Sequence, residues 1–192
     1  TLNEQILLNF AEKLSMAEDS KEVKSILKDF QASDEKIVLE AIKRNRKEGN
    51  SKTFEALLNT LKETDEPTVE SAIIEFLFDL KDQGAKDILI QKLEDNSLAY
   101  YNSFLVATFW QSSIDGSDHL ELFVQKAIEG DYMTCLEALT VVENFDSAFS
   151  EDEIQNCLLE ITDALEDEEE SDKKALLNSL KEVIQTLPIE GE

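Results

Sequence analysis

The chain of 192 residues contains one histidine, His119, and two cysteines, Cys135 and Cys157. A serine or cysteine triad would have to use His119 as its base. His119 follows Asp118 at the predicted start of a helix, and this setting favours a solvated histidine over a catalytic one. No H-E-x-x-H, C-x-x-C or histidine pair is present, so the sequence offers no zinc site.

Motifs for other cofactors are also missing from the sequence. The segment Asp115-Gly116-Ser117-Asp118 departs from the D-x-[DN]-x-[DN]-G pattern of a calcium loop, which favours an ordinary turn. Neither the P-loop nor the dinucleotide-binding glycine pattern occurs. With 43 Asp and Glu residues, neighbouring carboxylates are expected by chance and do not indicate a glycosidase pair. We therefore expect a protein that is not an enzyme and that uses no cofactor.

The stretch from residue 97 to residue 114 contains no Asp, Glu, Lys or Arg, although 32% of the chain is charged. Its apolar residues recur at helical spacing in two stripes, which predicts a buried helix in the middle of a stack. Polar residues interrupt the stretch too often for a membrane span. Two interpretations of Tyr100 and Trp110, the only tryptophan, stay open. Both are packed by neighbouring helices, or one of them is exposed as an anchor of the kind enriched at interfaces.

Acidic residues surround this aromatic helix and dominate the second half of the chain. The net charge is −25, which disfavours direct binding to nucleic acid or to an anionic membrane surface. Residues 1–92 contain 14 Lys or Arg and 19 Asp or Glu, whereas residues 93–192 contain 4 and 24. Lys126 is the only basic residue between Leu93 and Asp172. The asymmetry fits either a solvated acidic surface or an acidic docking face for a basic partner.

If the aromatic helix is exposed, the acidic residues around it favour a basic peptide or protein as its ligand. The predicted partner-binding residues are Tyr100, Trp110, Asp115, Asp118, Glu143 and Asp146.

Cys135 and Cys157 both lie in apolar helical patterns and do not form a disulfide framework. We expect them to act as small buried hydrophobic residues, as in a cytoplasmic protein. No signal peptide or anchor is visible, but the sequence begins with Thr1, so secretion and further domains stay open.

Apolar periodicity predicts helices along the whole chain and one all-α domain over residues 1–192. Two N-terminal capping helices cover residues 1–31, including one at residues 2–16. Four helix pairs follow over residues 33–166, starting near 34, 66, 97 and 132, with a period of 31 to 35 residues. Residues 166–170 form an acidic linker, and a capping helix covers residues 171–187. Such a period is typical of solenoids, in which each unit packs only against its neighbours.

The pair period and the apolar spacing of LEAIKRNRKEGN, SAIIEFLFDLKDQG and SFLVATFWQSSIDG resemble the HEAT-like family of α-solenoids, including the armadillo type. The resemblance covers about residues 33–166. The pairs are shorter than the usual HEAT unit, and the first helices lack the helix-ending proline of the family. The resemblance implies a right-handed α-α superhelix that binds proteins, and it supplies no catalytic residue.

The sequence therefore predicts a non-enzymatic protein-protein interaction or scaffold module. Its ligand is a protein or peptide, basic if the acidic half is a docking face, held on a groove. Two alternatives stay open. One is an accessory HEAT-like domain of a larger enzyme, and the other is an acidic DNA mimic that inhibits a nucleic-acid-binding protein.

Overall fold

A computed structural model describes residues 20–191 of the chain. The described part is all-α, which confirms the predicted class, and its only β-type pairing is one isolated bridge. The predicted helix at residues 2–16 lies outside the described residues. The helices are α1 (Lys21–Asp29), α2 (Glu35–Glu48), α3 (Ser51–Glu63), α4 (Pro67–Phe78), α5 (Lys86–Glu94), α6 (Asn102–Gln111), α7 (Leu120–Glu129), α8 (Tyr132–Glu143), α9 (Glu151–Asp167) and α10 (Ser171–Ile184).

Side chains just before several helices fix where those helices begin. The Ser150 hydroxyl accepts a hydrogen bond from the Glu153 amide (3.2 Å) at the start of α9. At α3 the structure has a full capping box, in which Asn50 and Thr53 each accept from the backbone amide of the other. Caps of this kind satisfy amides that the first helical turn leaves without partners.

The charge-free stretch forms a shorter helix than its composition suggests. Residues Ala99–Tyr101 form a 3-10 turn, and α6 then extends only from Asn102 to Gln111. The middle of α6 is buried, including Leu105 and Phe109. The two ends of the stretch reach the surface, because Tyr100 is 85% exposed and Trp110 is 37% exposed. The expectation of a helix enclosed on every side is therefore wrong at both ends of the stretch.

The chain divides into two compact units, Thr1–Val69 and Glu70–Glu192, and the division falls in the first turn of α4. In the described part of the first unit, α1 packs against α2 and α3. Arg44 of α2 donates to Glu22 (2.8 Å) and to Asp29 (2.5 Å), which ties α2 to both ends of α1. The prediction that the chain forms a single α-solenoid domain stays a prediction.

In the second unit, α8 is the helix with the most neighbours. It packs against α6, α7 and α10, while α9 packs against α7 and α10. A row of aromatic rings crosses this unit, with centroid distances of 5.0 Å from Phe109 to Phe123, 5.8 Å from Phe123 to Phe145, and 5.9 Å from Phe145 to Phe149. A side-chain carbon on Gly116 would come within 2.7 Å of the Phe109 ring and 2.9 Å of the Phe123 ring, so only glycine fits there.

Side-chain hydrogen bonds in the second unit recur at a sequence spacing close to the predicted period of 31 to 35 residues. Each of five such bonds joins residues 30 to 32 positions apart, so a group in one helix pair bonds the corresponding part of the next pair. They are Tyr101 to Glu70 (2.9 Å), Gln83 to the Ser113 carbonyl (2.6 Å), Lys86 to Asp118 (2.5 Å), Lys126 to Asn96 (3.4 Å) and Ser147 to Ser117 (2.9 Å). This spacing agrees with stacked helix pairs, whereas the superhelical arrangement and its handedness stay predictions.

The last segments differ in detail from the predicted linker and cap. Helix α9 continues through Asp167, so that only residues 168–170 separate it from α10. Beyond α10, the Phe149 amide donates to the Pro188 carbonyl and the Glu190 amide donates to the Phe149 carbonyl, both at 2.9 Å. These two bonds form a parallel bridge that holds residues 188–190 against the segment between α8 and α9.

Candidate functional site

A groove of about 790 Å³ lies between α7 and α9 in the second unit. Both helices are amphipathic, and each buries its apolar side toward the core, including Phe123 of α7 and Ile161 of α9. Residues of both helices line the groove. The apolar part of its lining comes from Leu120, Leu122, Ile128 and Ala164.

Carboxylates make up most of the polar lining of this groove, and no Lys or Arg contributes to it. The eight acidic residues, defined here as the acidic groove, are Glu94, Asp118, Glu121, Glu129, Glu153, Glu160, Asp163 and Asp167. Among the described residues, two lysines lie within ion-pair distance of this set: Lys86 is 2.5 Å from Asp118, and Lys126 is 3.8 Å from Glu129. Most of the negative charge is therefore not neutralised within the described part of the chain.

Lys126 does not place a positive charge on the groove surface. Its side chain is 3% exposed, and its ammonium group donates to Asn96 in the preceding helix pair (3.4 Å). Lys126 is also the only basic residue between Leu93 and Asp172. Because its charge is buried, residues 93–172 present no exposed Lys or Arg side chain.

The pKa values of two groups beside the groove record the field of these carboxylates. Burial raises the pKa of Glu153, and the negative charges of Glu121 and Glu190 raise it further. Burial raises the pKa of the Cys157 thiol to about 12, with additional contributions from Glu121, Glu160 and Glu153. Like charges disfavour each other's ionised forms. Burial is the main cause of both shifts, and the contribution of Glu121 to each shows that these carboxylates are close enough to repel one another.

Asp118 differs from the other carboxylates of the groove because it has a close cationic partner. Burial, the largest single effect, acts to raise its pKa, but the hydrogen bond and charge of Lys86, a backbone hydrogen bond and the nearby His119 together lower the pKa below its ordinary value. The His119 ring lies beside it, with Nε2 3.8 Å from the Asp118 carboxylate. Both cysteines are fully buried, so no thiol is placed near His119 as an exposed nucleophile.

Of the six predicted partner-binding residues, the structure places only Asp118 in the acidic groove. Asp115 is exposed and accepts a hydrogen bond from the Ser117 amide (2.9 Å), so it shapes the turn before α7. Glu143 and Asp146 are exposed at and beyond the end of α8. Tyr100 and Trp110 are exposed beside and within α6, away from the groove lining.

Sequence reasoning missed seven of the eight carboxylates in the groove. A signal for them was present, because Glu121, Gln125 and Glu129 recur every four residues along α7. Glu153, Glu160 and Asp167 recur every seven residues along α9. Both spacings place polar residues on one side of a helix.

The described residues contain no group of three or more His, Cys, Asp or Glu side chains arranged to hold a metal ion. None of the helices in residues 20–191 is long and apolar enough to cross a membrane. In comparisons with known proteins, no family model, no curated protein and no solved structure matches the chain.

Proposed function

We propose that this protein is a non-enzymatic interaction module that binds a basic segment of a partner protein in the acidic groove. The observation that supports this function best is the groove itself, with eight carboxylates and no Lys or Arg in its lining. Complementary charge speeds encounter and excludes partners of the wrong charge. The apolar residues between α7 and α9 give such a segment a surface on which to bury side chains.

The arrangement of the groove favours binding over catalysis. Cys157, the thiol nearest the acidic residues, is buried, and burial raises its pKa to about 12, so it is protonated at neutral pH. Carboxylates line both walls without a positioned nucleophile, and His119 has an acidic neighbour rather than a serine or cysteine. The HEAT-like resemblance of residues 33–166 agrees with a binding role.

The test is affinity capture from a lysate of the source cell with the full chain and two matched triple variants. The groove variant is Glu121→Gln, Glu160→Gln and Asp163→Asn. The control variant is Glu75→Gln, Glu143→Gln and Asp146→Asn, which removes three charges from exposed residues outside the groove. We expect a basic partner that is captured by the wild type and the control variant, and is lost with the groove variant.

Raising the salt concentration should release the same partner. The Debye length falls from about 10 Å at about 0.1 M salt to about 3 Å at about 1 M, which screens exposed charges. Equal capture by the two triple variants would contradict the groove as the docking site. Loss with the control variant alone would instead place docking near Glu143 and Asp146, the residues predicted from the sequence.

A further inference from the structure

A second exposed site, separate from the acidic groove, lies between α6 and α8. The indole Nε1–H of Trp110 donates to the carboxylate of Glu137 on α8, and the two atoms are 2.6 Å apart. The Trp110 side chain is 37% exposed, so part of the ring faces solvent while the bond fixes its orientation. A fixed aromatic ring with a carboxylate at its edge differs from a ring that is merely left uncovered.

The two helices that carry this pair add no positive charge of their own. Neither α6 nor α8 contains a Lys or Arg residue. Glu137 forms no ion pair within the described part of the chain, and its bond to Trp110 occupies one of its two oxygens. The face of an indole ring attracts cations through its quadrupole, and Trp is the best side chain for this contact. The carboxylate adds a full negative charge at the edge of the ring, beside the N–H.

We propose that Trp110 and Glu137 form a binding site for an arginine side chain of a partner protein. The guanidinium group stacks on the exposed face of Trp110 and donates to the free oxygen of Glu137. Met133, one helical turn before Glu137 on α8 and 46% exposed, provides an apolar surface for the arginine stem. This site does not depend on the acidic groove, because neither Trp110 nor Glu137 lines it.

Arginine fits this geometry better than lysine does. The guanidinium group is planar, stacks on aromatic rings and presents several donors in a fixed fork, whereas an ammonium group is a compact and strongly hydrated charge. A preference for arginine over lysine at equal charge therefore separates this site from general attraction to an acidic protein.

The fluorescence of Trp110, the only tryptophan in the chain, makes the site directly observable. The experiment titrates the full-length protein with acetyl-Ala-Arg-Ala-amide and with acetyl-Ala-Lys-Ala-amide, two peptides of equal charge. We expect a saturable change in emission with the arginine peptide and a dissociation constant about fivefold higher for the lysine peptide. The groove variant described above should keep both responses, which distinguishes this site from the proposed groove function.

Two variants of α8 complete the test. Glu137→Gln keeps an oxygen that can accept from the indole N–H but removes the negative charge. It should raise the dissociation constant of the arginine peptide about fivefold. Glu143→Gln removes one charge from the same helix away from Trp110, and it should change the affinity less than twofold. The far-ultraviolet circular dichroism and the unliganded emission of Glu137→Gln should match the wild type, and Trp110→Phe, measured by calorimetry, should also bind more weakly.

The proposal is overturned if the two peptides bind equally, if no saturable change in emission occurs, or if Glu137→Gln binds the arginine peptide as the wild type does.

Discussion

The second unit exposes two surfaces of opposite character, although the helices that form them pack against each other. The surface on α6 and α8 is aromatic and contains few charges, and there the exposed Trp110 ring donates a hydrogen bond to Glu137. The acidic groove between α7 and α9 is lined by eight carboxylates. Long-range charge governs how fast partners meet, whereas buried aromatic anchors govern how long they stay together. The comparison suggests that one unit separates these two tasks between alternate helices.

The largest expected effect comes from removing the ring that joins the two surfaces. Phe123 of α7 is fully buried and contacts the rings of both Phe109 and Phe145. Phe123→Ala should lower the free energy of unfolding by about 3 to 5 kcal/mol and weaken both surfaces together. Urea denaturation measures this effect. Tyr100→Ala, at an exposed ring, is the control and should lower the free energy of unfolding by less than about 0.5 kcal/mol. Equal losses of unfolding free energy in the two variants would show that the aromatic row does not join the surfaces.

A smaller effect is expected at the turn between α6 and α7. Gly116→Ala forces a methyl group against the rings of Phe109 and Phe123. Overpacking of this kind should cost about 1 to 3 kcal/mol. The measurement is again urea denaturation, with the emission of Trp110 as a probe of α6. Gly84→Ala is a matched control, because the nearest atom there is a side-chain oxygen of Asp82 at 3.2 Å. A cost at Gly84 as large as that at Gly116 would contradict the role given to the two rings.

Variants of the two surfaces should change different rate constants of binding, each by about tenfold. With a captured basic partner, the groove variant should lower the association rate constant about tenfold and change the dissociation rate constant little. Trp110→Phe should mainly raise the dissociation rate constant. Surface plasmon resonance at two salt concentrations measures both constants. If both variants act on the same rate constant, the division of tasks between the surfaces does not hold.

The smallest effect is a change of stability with pH at Glu153. The folded state raises the pKa of this carboxyl through burial and through the charges of Glu121 and Glu190. Its contribution to stability is therefore fully present below the pKa of the unfolded chain and is lost as the pH rises through the folded-state value. Glu153→Gln should gain stability relative to the wild type between about pH 4 and pH 7, by about 0.5 kcal/mol or less.

Thermal unfolding across this pH range tests the effect at Glu153. The same substitution should then be made in the Glu121→Gln background. There, the stability difference caused by Glu153→Gln should depend less on pH than it does in the wild type, because the repulsion from Glu121 is gone. A stability difference that stays constant with pH would contradict the assignment.

The positions of the helices could be predicted from the sequence because apolar residues at a spacing of 3.6 must share a face. The structure at the ends of the charge-free stretch could not be predicted in this way. Tyr101 lies in the 3-10 turn that precedes α6, and its hydroxyl donates to Glu70, 31 residues earlier. Composition does not reveal this contact. The acidic groove was missed for a related reason. Periodicity shows that Glu121 and Glu160 each lie on a polar face, but only packing shows that the two faces meet.

Only one residue of the proposed site at Trp110 could be named from the sequence. The sequence identified Trp110 as a candidate anchor, but its partner Glu137 is 27 residues away on another helix and has no distinguishing sequence context. Asp115 is a case in which a local role explains the residue, since its carboxylate accepts from the amide two residues later. Pairings between distant residues depend on how the helices pack on one another, which a single sequence does not reveal.

The burial of Lys126 has a practical consequence for mapping this protein. Because residues 93–172 present no exposed amine, amine-reactive cross-linkers have little to label along the acidic groove except Lys86, whose ammonium group is 2.5 Å from Asp118 at its edge. Trypsin likewise has one potential cleavage site in that stretch, and the folded protein shields it. Carbodiimide coupling through the carboxylates, or digestion with a glutamate-specific protease, is the chemistry that can report on this surface.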